Sequence, residues 1–404
     1  MATKSIKVDC VIFGGGVSGL FILDQCLESG YSSILLEPNA LGTGQTISSQ
    51  GILHGGLKYE IEKKLNDSAL NLQEMPNMWR NALAGNGPLD LSMVNLRADY
   101  CHLWGTNKFS SKIGLTGARL ALNIKPKSLS REDYPRWFSG PSGHVARLDE
   151  QVIEPSSLIG VLNKKHSSHV LKTEVNNTKV QNLNGQLKVE TLNPITNEKL
   201  NLQPTQIILA AGSGNATLRK MLNLQSGKTQ ERPLHMILVR GKLPKINGHC
   251  IDGHKPRVTI TTTIDKAGRT VWQLGGQIAE DGIHMSNHEL ICHAIAEIKK
   301  VLPDVDISDT ELSTYQAYRA EKANRQKRPK DISVLQDDAI LTCWPTKLVL
   351  APKLAAKVVN LLAPPKYSIK QDIVKLRWPK PTIALPPWEI DAPWHKKSII
   401  SNER

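Results

Sequence analysis

The strongest constraint on this chain is a strand–turn–helix–strand pattern in its first forty residues. A hydrophobic stretch, Val8 to Phe13, runs into three glycines spaced G-x-G-x-x-G at Gly14, Gly16 and Gly19, and a second hydrophobic stretch ends at Glu37. Each part has a physical task in holding a dinucleotide. Gly14 permits a tight turn out of the strand, Gly16 lets backbone N–H groups approach a pyrophosphate, and Gly19 lets the helix predicted over Ser18–Ser29 pack closely on the sheet. The start of that helix, at Val17 and Ser18, supplies partial positive charge to the phosphates. Glu37 is placed to accept hydrogen bonds from both hydroxyls of an adenosine ribose, which disfavours a 2′-phosphate and hence NADP. All parts occur in order within about thirty-five residues, the length of a βαβ unit. These residues alone leave NAD and FAD both open.

At 404 residues, 40% hydrophobic and 22% charged, the chain has ordinary globular composition and enough length for two cores. A dinucleotide-binding lobe plus one further domain is the expectation. No apolar run approaches the roughly eighteen residues that cross a bilayer as a helix. The first strand begins within about eight residues of the start, which leaves no room for a signal peptide, and a soluble, cytoplasmic protein is expected. The six cysteines are scattered, with no C-x-x-C and no histidines at metal-ligand spacing, so neither a disulfide framework nor a metal site is expected. His284, His288 and His293 read as a solvated helix face. A formal net charge of +14 favours an anionic partner: a phosphorylated cofactor, an acidic substrate, a membrane surface touched peripherally, or nucleic acid. The densest basic stretch, Arg319 to Lys330, has no interleaved aromatics and matches no RNA-binding module, which counts against nucleic acid.

Further along, Gln206 to Gly214 is a β-rich run ending in small residues, as suits a strand whose backbone must come close to a cofactor. A helix (Ser156–His166), a strand (His169–Val175), an Asn184-Gly185 turn and an alternating stretch (Gln186–Thr191) precede it and read as a return to the first lobe. Alternation at Val94–Leu103, Met236–Val239, Val258–Ile264 and Val271–Leu274 predicts antiparallel strands of a second domain. The expected division is 1–80, 144–224 and 336–364 for the dinucleotide-binding domain, 81–143 and 225–335 for the second, and a Pro/Trp-rich tail at 365–404. Trp344 to Leu362 predicts an amphipathic helix opened by Pro352.

Three segments in this order resemble the D-amino-acid-oxidase-like (DAO) FAD-dependent oxidoreductases: the first sixty residues, the Leu209-Ala210-Ala211-Gly212 strand end, and Trp344 to Pro352. Within that superfamily, the loop G-T-G-Q-T-I-S-S-Q-G-I-L-H-G-G-L-K-Y (Gly42 to Tyr59) is similar to that of FAD-dependent glycerol-3-phosphate dehydrogenases and, less closely, of L-2-hydroxyglutarate dehydrogenases. The resemblance implies FAD as cofactor and an α/β fold. That fold would be a split, Rossmann-like FAD-binding domain of the GR2 type with a second, α+β mixed-sheet substrate domain. It implies a dehydrogenase or oxidase taking hydride from a small anionic hydroxy acid, polyol phosphate or amino acid to flavin N5, hydroxyl substrates first. The electron acceptor would be a quinone, another carrier or oxygen.

The same resemblance distributes roles. Thr43, Gly44, Gln45 and Thr46 form a polar loop facing pyrophosphate or ribityl; Ser49 and Gln50 continue toward the ring. His54, followed by Gly55 and Gly56, would lie by the isoalloxazine, where an imidazole suits the departing proton. Val175 would meet the adenine through its backbone, and Ala211 and Gly212 would pass the pyrophosphate. Thr346, Lys347 and Leu348 fall where relatives carry a glycine-rich flavin loop. The Lys347 ammonium would stabilise negative charge on the flavin or hold an acidic substrate. By their own chemistry rather than the resemblance, Arg319, with Arg240, Gln273, Tyr315 and Tyr318 of the second domain, would serve the substrate pocket, and Trp272 to Gly276 reads as a strand ending near the flavin face. Two other readings are open at this point: a dinucleotide-binding regulatory protein without turnover, and a flavoenzyme acting on a group attached to nucleic acid.

Overall fold

The computed structural model describes residues 4–54, 75–106, 127–138, 144–183, 185–251, 256–325, 329, 331–367 and 376–397. By spatial contact the chain divides into two compact units: residues 1–49, 155–232 and 318–385 form unit 1, and residues 50–154, 233–317 and 386–404 form unit 2. The expected division at 80, 144, 224 and 336 follows the same alternation but with different boundaries. Two of the observed boundaries fall inside long strands, Thr229–Gly241 and Thr310–Lys322, with no loop at the crossing. The expected tail is likewise divided, 365–385 going to unit 1 and 386–404 to unit 2.

Unit 1 is built on a sheet whose first three elements are β1 (Lys4–Phe13), α1 (Val17–Glu28) and β2 (Ser33–Glu37). β1 is paired in parallel with β2 on one side and with strand Lys199–Leu209 on the other. Strand Val170–Lys172 continues the sheet beyond β2, and Ile340–Trp344 runs parallel to the end of Lys199–Leu209. The antiparallel strands Lys179–Leu183 and Gln186–Leu192 extend the opposite edge. Residues buried on both faces explain why β1 and β2 read as continuous apolar runs rather than alternating ones. One core cluster on this sheet includes Val8, Val11, Ile34, Leu36, Ile207 and Leu209. The helix expected between Trp344 and Leu362 is shorter, Ala351–Val359, with a proline in its first turn.

Unit 2 carries an antiparallel-rich sheet in which strands Gly248–Ile251, Pro256–Ile264 and Thr270–Gly275 pair in succession. Its alternation is sorted by a helix, Asn287–Val301, opened by a Ser286/Glu289 capping box. Val258, Ile260, Trp272 and Leu274 face the core that includes this helix's Leu290, Ile291, Ala294 and Ile298. Thr259, Thr261, Val271 and Gln273 alternate with them and turn to the opposite face. The single strand expected at Val94–Leu103 is two: Leu96–Ala98 joins a small sheet with Ile52–Leu53 and Gln151–Ile153, and Cys101–Gly105 pairs with Gly248–Ile251. An unbroken polar/apolar alternation cannot register a chain that leaves one sheet for another at residues 99–100. His284 and His288 are exposed and His293 is half-buried, as expected of a solvated face.

Candidate cofactor site and the polar cluster of unit 2

Unit 1 encloses a cavity of about 430 Å³ at the carboxyl ends of β1 and β2, within the range of ligand pockets and at the end of a parallel sheet where ligands bind. The glycines act as their spacing requires. Gly14 has φ +107, and a Cβ there would stand 2.6 Å from both the Ala210 carbonyl oxygen and the Ala211 Cα. The small residues of the Leu209–Gly212 turn are thus needed where that strand end meets the first turn. A Cβ on Gly19 would fall 1.8 Å from the Gly14 carbonyl oxygen, so this residue packs α1 on the strand end and does not line the cavity. Gly16 does line it, and a Cβ there would meet only Thr46 Oγ1, at 3.2 Å. Gly16 is also the N-cap of α1, without a side-chain cap and with no acidic residue in the first turn. Such a helix start accepts an anion.

Around this cradle the structure gathers Val17, Ser18, Glu37, Thr43, Gly44, Gln45, Thr46, Ser49, Val175, Ala211, Gly212, Lys347 and Leu348, all in the cavity wall. Thr46 Oγ1 accepts the Val17 N–H at 3.1 Å, fixing the loop to the helix start. The Gln45 side chain accepts the Ala320 N–H at 3.0 Å. Glu37 accepts N–H bonds from Gly15 at 2.5 Å and Asn39 at 2.7 Å. Burial raises its carboxyl above the ordinary range, against the pull of those two bonds and of Lys172. Thr346 is placed differently: it is buried at φ +66, and its hydroxyl donates to the Asp331 carbonyl rather than lining the wall. Gln50 belongs to unit 2, where its amide donates to the carbonyls of Thr259 and Gln273.

Sequence reasoning missed Thr173, Thr178, Ser213, Thr217 and Ala320 in the wall, and Trp344, which it placed in the flavin loop segment, stands there too. The signal for the middle group was present in G-S-G-N-A-T, a second glycine-rich turn opening a short helix (Asn215–Met221). Asn215 accepts the Ala211 N–H and donates to the Cys343 carbonyl, binding that turn to the neighbouring strand. Burial pushes the Cys343 thiol well above its ordinary value, so it stands in the wall as a neutral thiol rather than a nucleophile. The Trp344 indole N–H is buried without a hydrogen-bond partner.

In unit 2 a polar cluster forms around the loop that begins at Gln50. His54 Nδ1 lies 3.4 Å from Glu150 Oε1, and His249 Nε2 lies 3.1 Å from Glu150 Oε2. Gly55, Gly56 and Tyr59 lie outside the described residues. The paired glycines of Trp272–Gly276 admit the chain's own atoms: a Cβ on Gly275 would meet the Gln50 amide at 2.5 Å, and one on Gly276 the backbone of Pro256 at 3.0 Å. Gln273 Nε2 donates to the Tyr315 hydroxyl at 2.5 Å, and burial keeps that phenol protonated. Arg240 is committed elsewhere, paired with Glu311 at 2.7 Å and stacked on Trp394. Arg319 is half-buried and Tyr318 exposed, and neither lines the unit 1 cavity. In unit 2, sequence reasoning overlooked Arg97, whose side chain is only 6% exposed. It is paired with Glu154 and lies over Trp388, and nothing in its local pattern separates it from a surface arginine on a short strand.

The cavity's glycine cradle, the Glu37 carboxyl in its wall and the acid-free helix start together fit an adenine dinucleotide. The DAO family model, described as FAD dependent oxidoreductase, matches residues 9–330. A probable FAD-dependent oxidoreductase of Pseudomonas aeruginosa is 32% identical over 393 residues, 96% of this chain and 99% of the relative. Its crystal structure has a TM-score of 0.78 at 30% identity, covering 96% of this chain and 99% of that one. Aerobic glycerol-3-phosphate dehydrogenase of Staphylococcus saprophyticus is 24% identical over 89% of this chain and 68% of its own length. L-α-glycerophosphate oxidase of Mycoplasma pneumoniae, solved with FAD bound, shares the fold, with a TM-score of 0.61 at 16% identity over 88% of this chain and 95% of that one. The chain belongs to the DAO family of FAD-dependent oxidoreductases. It is an enzyme whose cofactor is FAD. No helix among the described residues is long and apolar enough to cross a membrane.

Proposed function

We propose that this enzyme oxidises the secondary hydroxyl of a small anionic substrate, a polyol phosphate or a 2-hydroxy acid, with amino acids as the second choice. The FAD would lie in the unit 1 cavity, its pyrophosphate on Gly16, Val17 and the Thr43–Thr46 loop, its ribose on Glu37. When bound, the flavin supplies the two-electron acceptor, taking hydride at N5 from the carbon that bears the hydroxyl. The hydroxyl proton must leave in the same reaction, and His54 is the residue assigned to receive it.

The observation that carries this reading is the pairing of His54 with the buried carboxylate of Glu150. An imidazole backed by a carboxylate is a base for an O–H proton near neutral pH. It follows Ser49 of the cavity wall by five residues along the chain. The glycerol-3-phosphate dehydrogenase among the relatives and the net charge of +14 support an anionic hydroxyl substrate. Lys347, in the cavity wall, is assigned to hold negative charge there. A quinone, another carrier or oxygen would reoxidise the enzyme.

The test is anaerobic bleaching of the flavin by a panel of sn-glycerol 3-phosphate, 2-hydroxyglutarate enantiomers, lactate, glycine and larger amino acids. A hydroxyl compound should bleach the flavin fastest. Bleaching by amino acids alone would refute the substrate class, and a flavin that none of a broad panel reduces would refute the reading.

A further inference from the structure

Glu150 is the least exposed member of the unit 2 cluster, with 3% of its side chain accessible against 7% for His249 and 39% for His54. Chain pairing puts it there. Strands Ile52–Leu53 and Gln151–Ile153 are antiparallel with Leu53 opposite Gln151, so the residues just beyond, His54 and Glu150, become neighbours. His249 comes from a third strand and stands opposite Thr259, whose hydroxyl is 2.9 Å from His249 Nδ1. The two imidazoles stack with centroids 5.8 Å apart and planes 28° from parallel.

Each carboxylate oxygen therefore faces one ring nitrogen. Burial pushes the Glu150 carboxyl up, but the charge and hydrogen bonds of His54 and His249 outweigh it and hold the group well below the usual carboxylate range. An ionised carboxylate only accepts hydrogen bonds, so each ring nitrogen that faces it carries a hydrogen. With the rings neutral, His249 donates through Nε2–H and accepts from Thr259 at Nδ1, while His54 donates through Nδ1–H and keeps its basic lone pair on Nε2. Cys101 also faces Glu150, and burial raises its thiol pKa and keeps it neutral.

We propose that Glu150 is a positioning residue for His54, fixing its tautomer and stabilising the imidazolium formed when Nε2 takes the substrate's hydroxyl proton, with His249 and Thr259 holding the carboxylate in place. In that step the O–H bond breaks, the N–H bond forms, and the positive charge appears beside the Glu150 anion. The proposal rests on the functional reading above, but its test does not need a substrate.

The measurement is the histidine side-chain NMR spectrum of 15N-labelled, FAD-loaded protein over a pH series. In the parent, His54 should be the Nδ1–H tautomer when neutral and its titration should move down by about one pH unit or more in Glu150→Gln, since an adjacent carboxylate raises a histidine by that order. Glu150→Asp should restore most of the shift. His249→Gln should move the His54 midpoint by less than Glu150→Gln does. A His54 midpoint unmoved in Glu150→Gln, with FAD retained and parent-like melting, overturns the proposal. So does stoichiometric zinc or iron in the purified protein that Glu150→Gln releases, because the carboxylate would then be a metal ligand. If the shift is found but no hydroxyl compound bleaches the flavin, the assigned reaction fails and the positioning of His54 stands.

Discussion

Two glycines three residues apart should fail in opposite ways. In Gly19→Ala the added methyl falls 1.8 Å from the Gly14 carbonyl oxygen and 3.1 Å from its carbonyl carbon. A carbon and a carbonyl oxygen ordinarily stand about 3.3–3.6 Å apart, so α1 and the end of β1 must separate by about 1.5 Å. The obstructing atoms are backbone and cannot rotate away, which places the cost at the upper end of the overpacking range, about 3 kcal/mol. For a domain of this size that lowers the melting temperature by roughly 6–12 °C. At Gly16 the φ of −76 suits any residue, and the nearest atom to an added Cβ is Thr46 Oγ1 at 3.2 Å. Gly16→Val should therefore leave the flavin-free protein within about 1 kcal/mol of the parent. Its methyls would enter the cavity instead, and 1–3 kcal/mol of overpacking against the cofactor weakens FAD binding by roughly 5- to 150-fold. The assay is thermal melting of flavin-free protein beside titration of FAD by fluorescence quenching. Parent-like melting of Gly19→Ala, or parent-like FAD affinity of Gly16→Val, would refute the division of labour between packing glycine and cradle glycine.

Three other outcomes are expected. Thr46→Ala removes the acceptor of the Val17 N–H and should cost about 1 kcal/mol in stability, with FAD released at lower urea concentration than in the parent. His54→Ala should keep the yellow colour and slow anaerobic reduction by roughly 10²- to 10⁴-fold, measured by stopped flow; reduction at the parent rate would remove the base assignment. Glu297 anchors helix Asn287–Val301 to Arg257 at 2.5 Å. Burial would raise its pKa, but hydrogen bonds from Arg257 and Lys300 outweigh that and bring it from 4.5 to about 2. Because the folded value is the lower one, this contribution is complete above the unfolded value and lost as pH falls from about 4.5 toward 2. After solvent screening it is worth roughly 1–2 kcal/mol. Glu297→Gln should melt lower at pH 7 and converge with the parent at the acid end; a constant gap across pH would contradict the assignment.

What the chain shows in its sequence and what it hides divide by range of interaction. The glycine turn, the Glu37 strand end and the Leu209–Gly212 turn are local patterns whose backbone needs can be read one residue at a time, and most of the assigned residues stand in the cavity wall. The unit boundaries were not legible, because two of them fall within continuous strands rather than in loops. Gln50 looked like the next residue of a cofactor loop, yet its amide is bound by two carbonyls from distant strands. Arg97, Glu150 and His249 carry no local signal at all. Arg97 pairs with a residue 57 positions away and Glu150 with one 99 positions away, and spacing along a chain cannot show that.

FAD binding in the unit 1 cavity through the Gly14–Gly19 turn is tested by the visible spectrum of the purified protein, with identification of whatever heat releases from it. The protein should be yellow and release about one FAD per chain, and Gly16→Val prepared in parallel should be pale. Colourless protein that stays colourless after incubation with FAD, or full colour in the Gly16 variant, would contradict it.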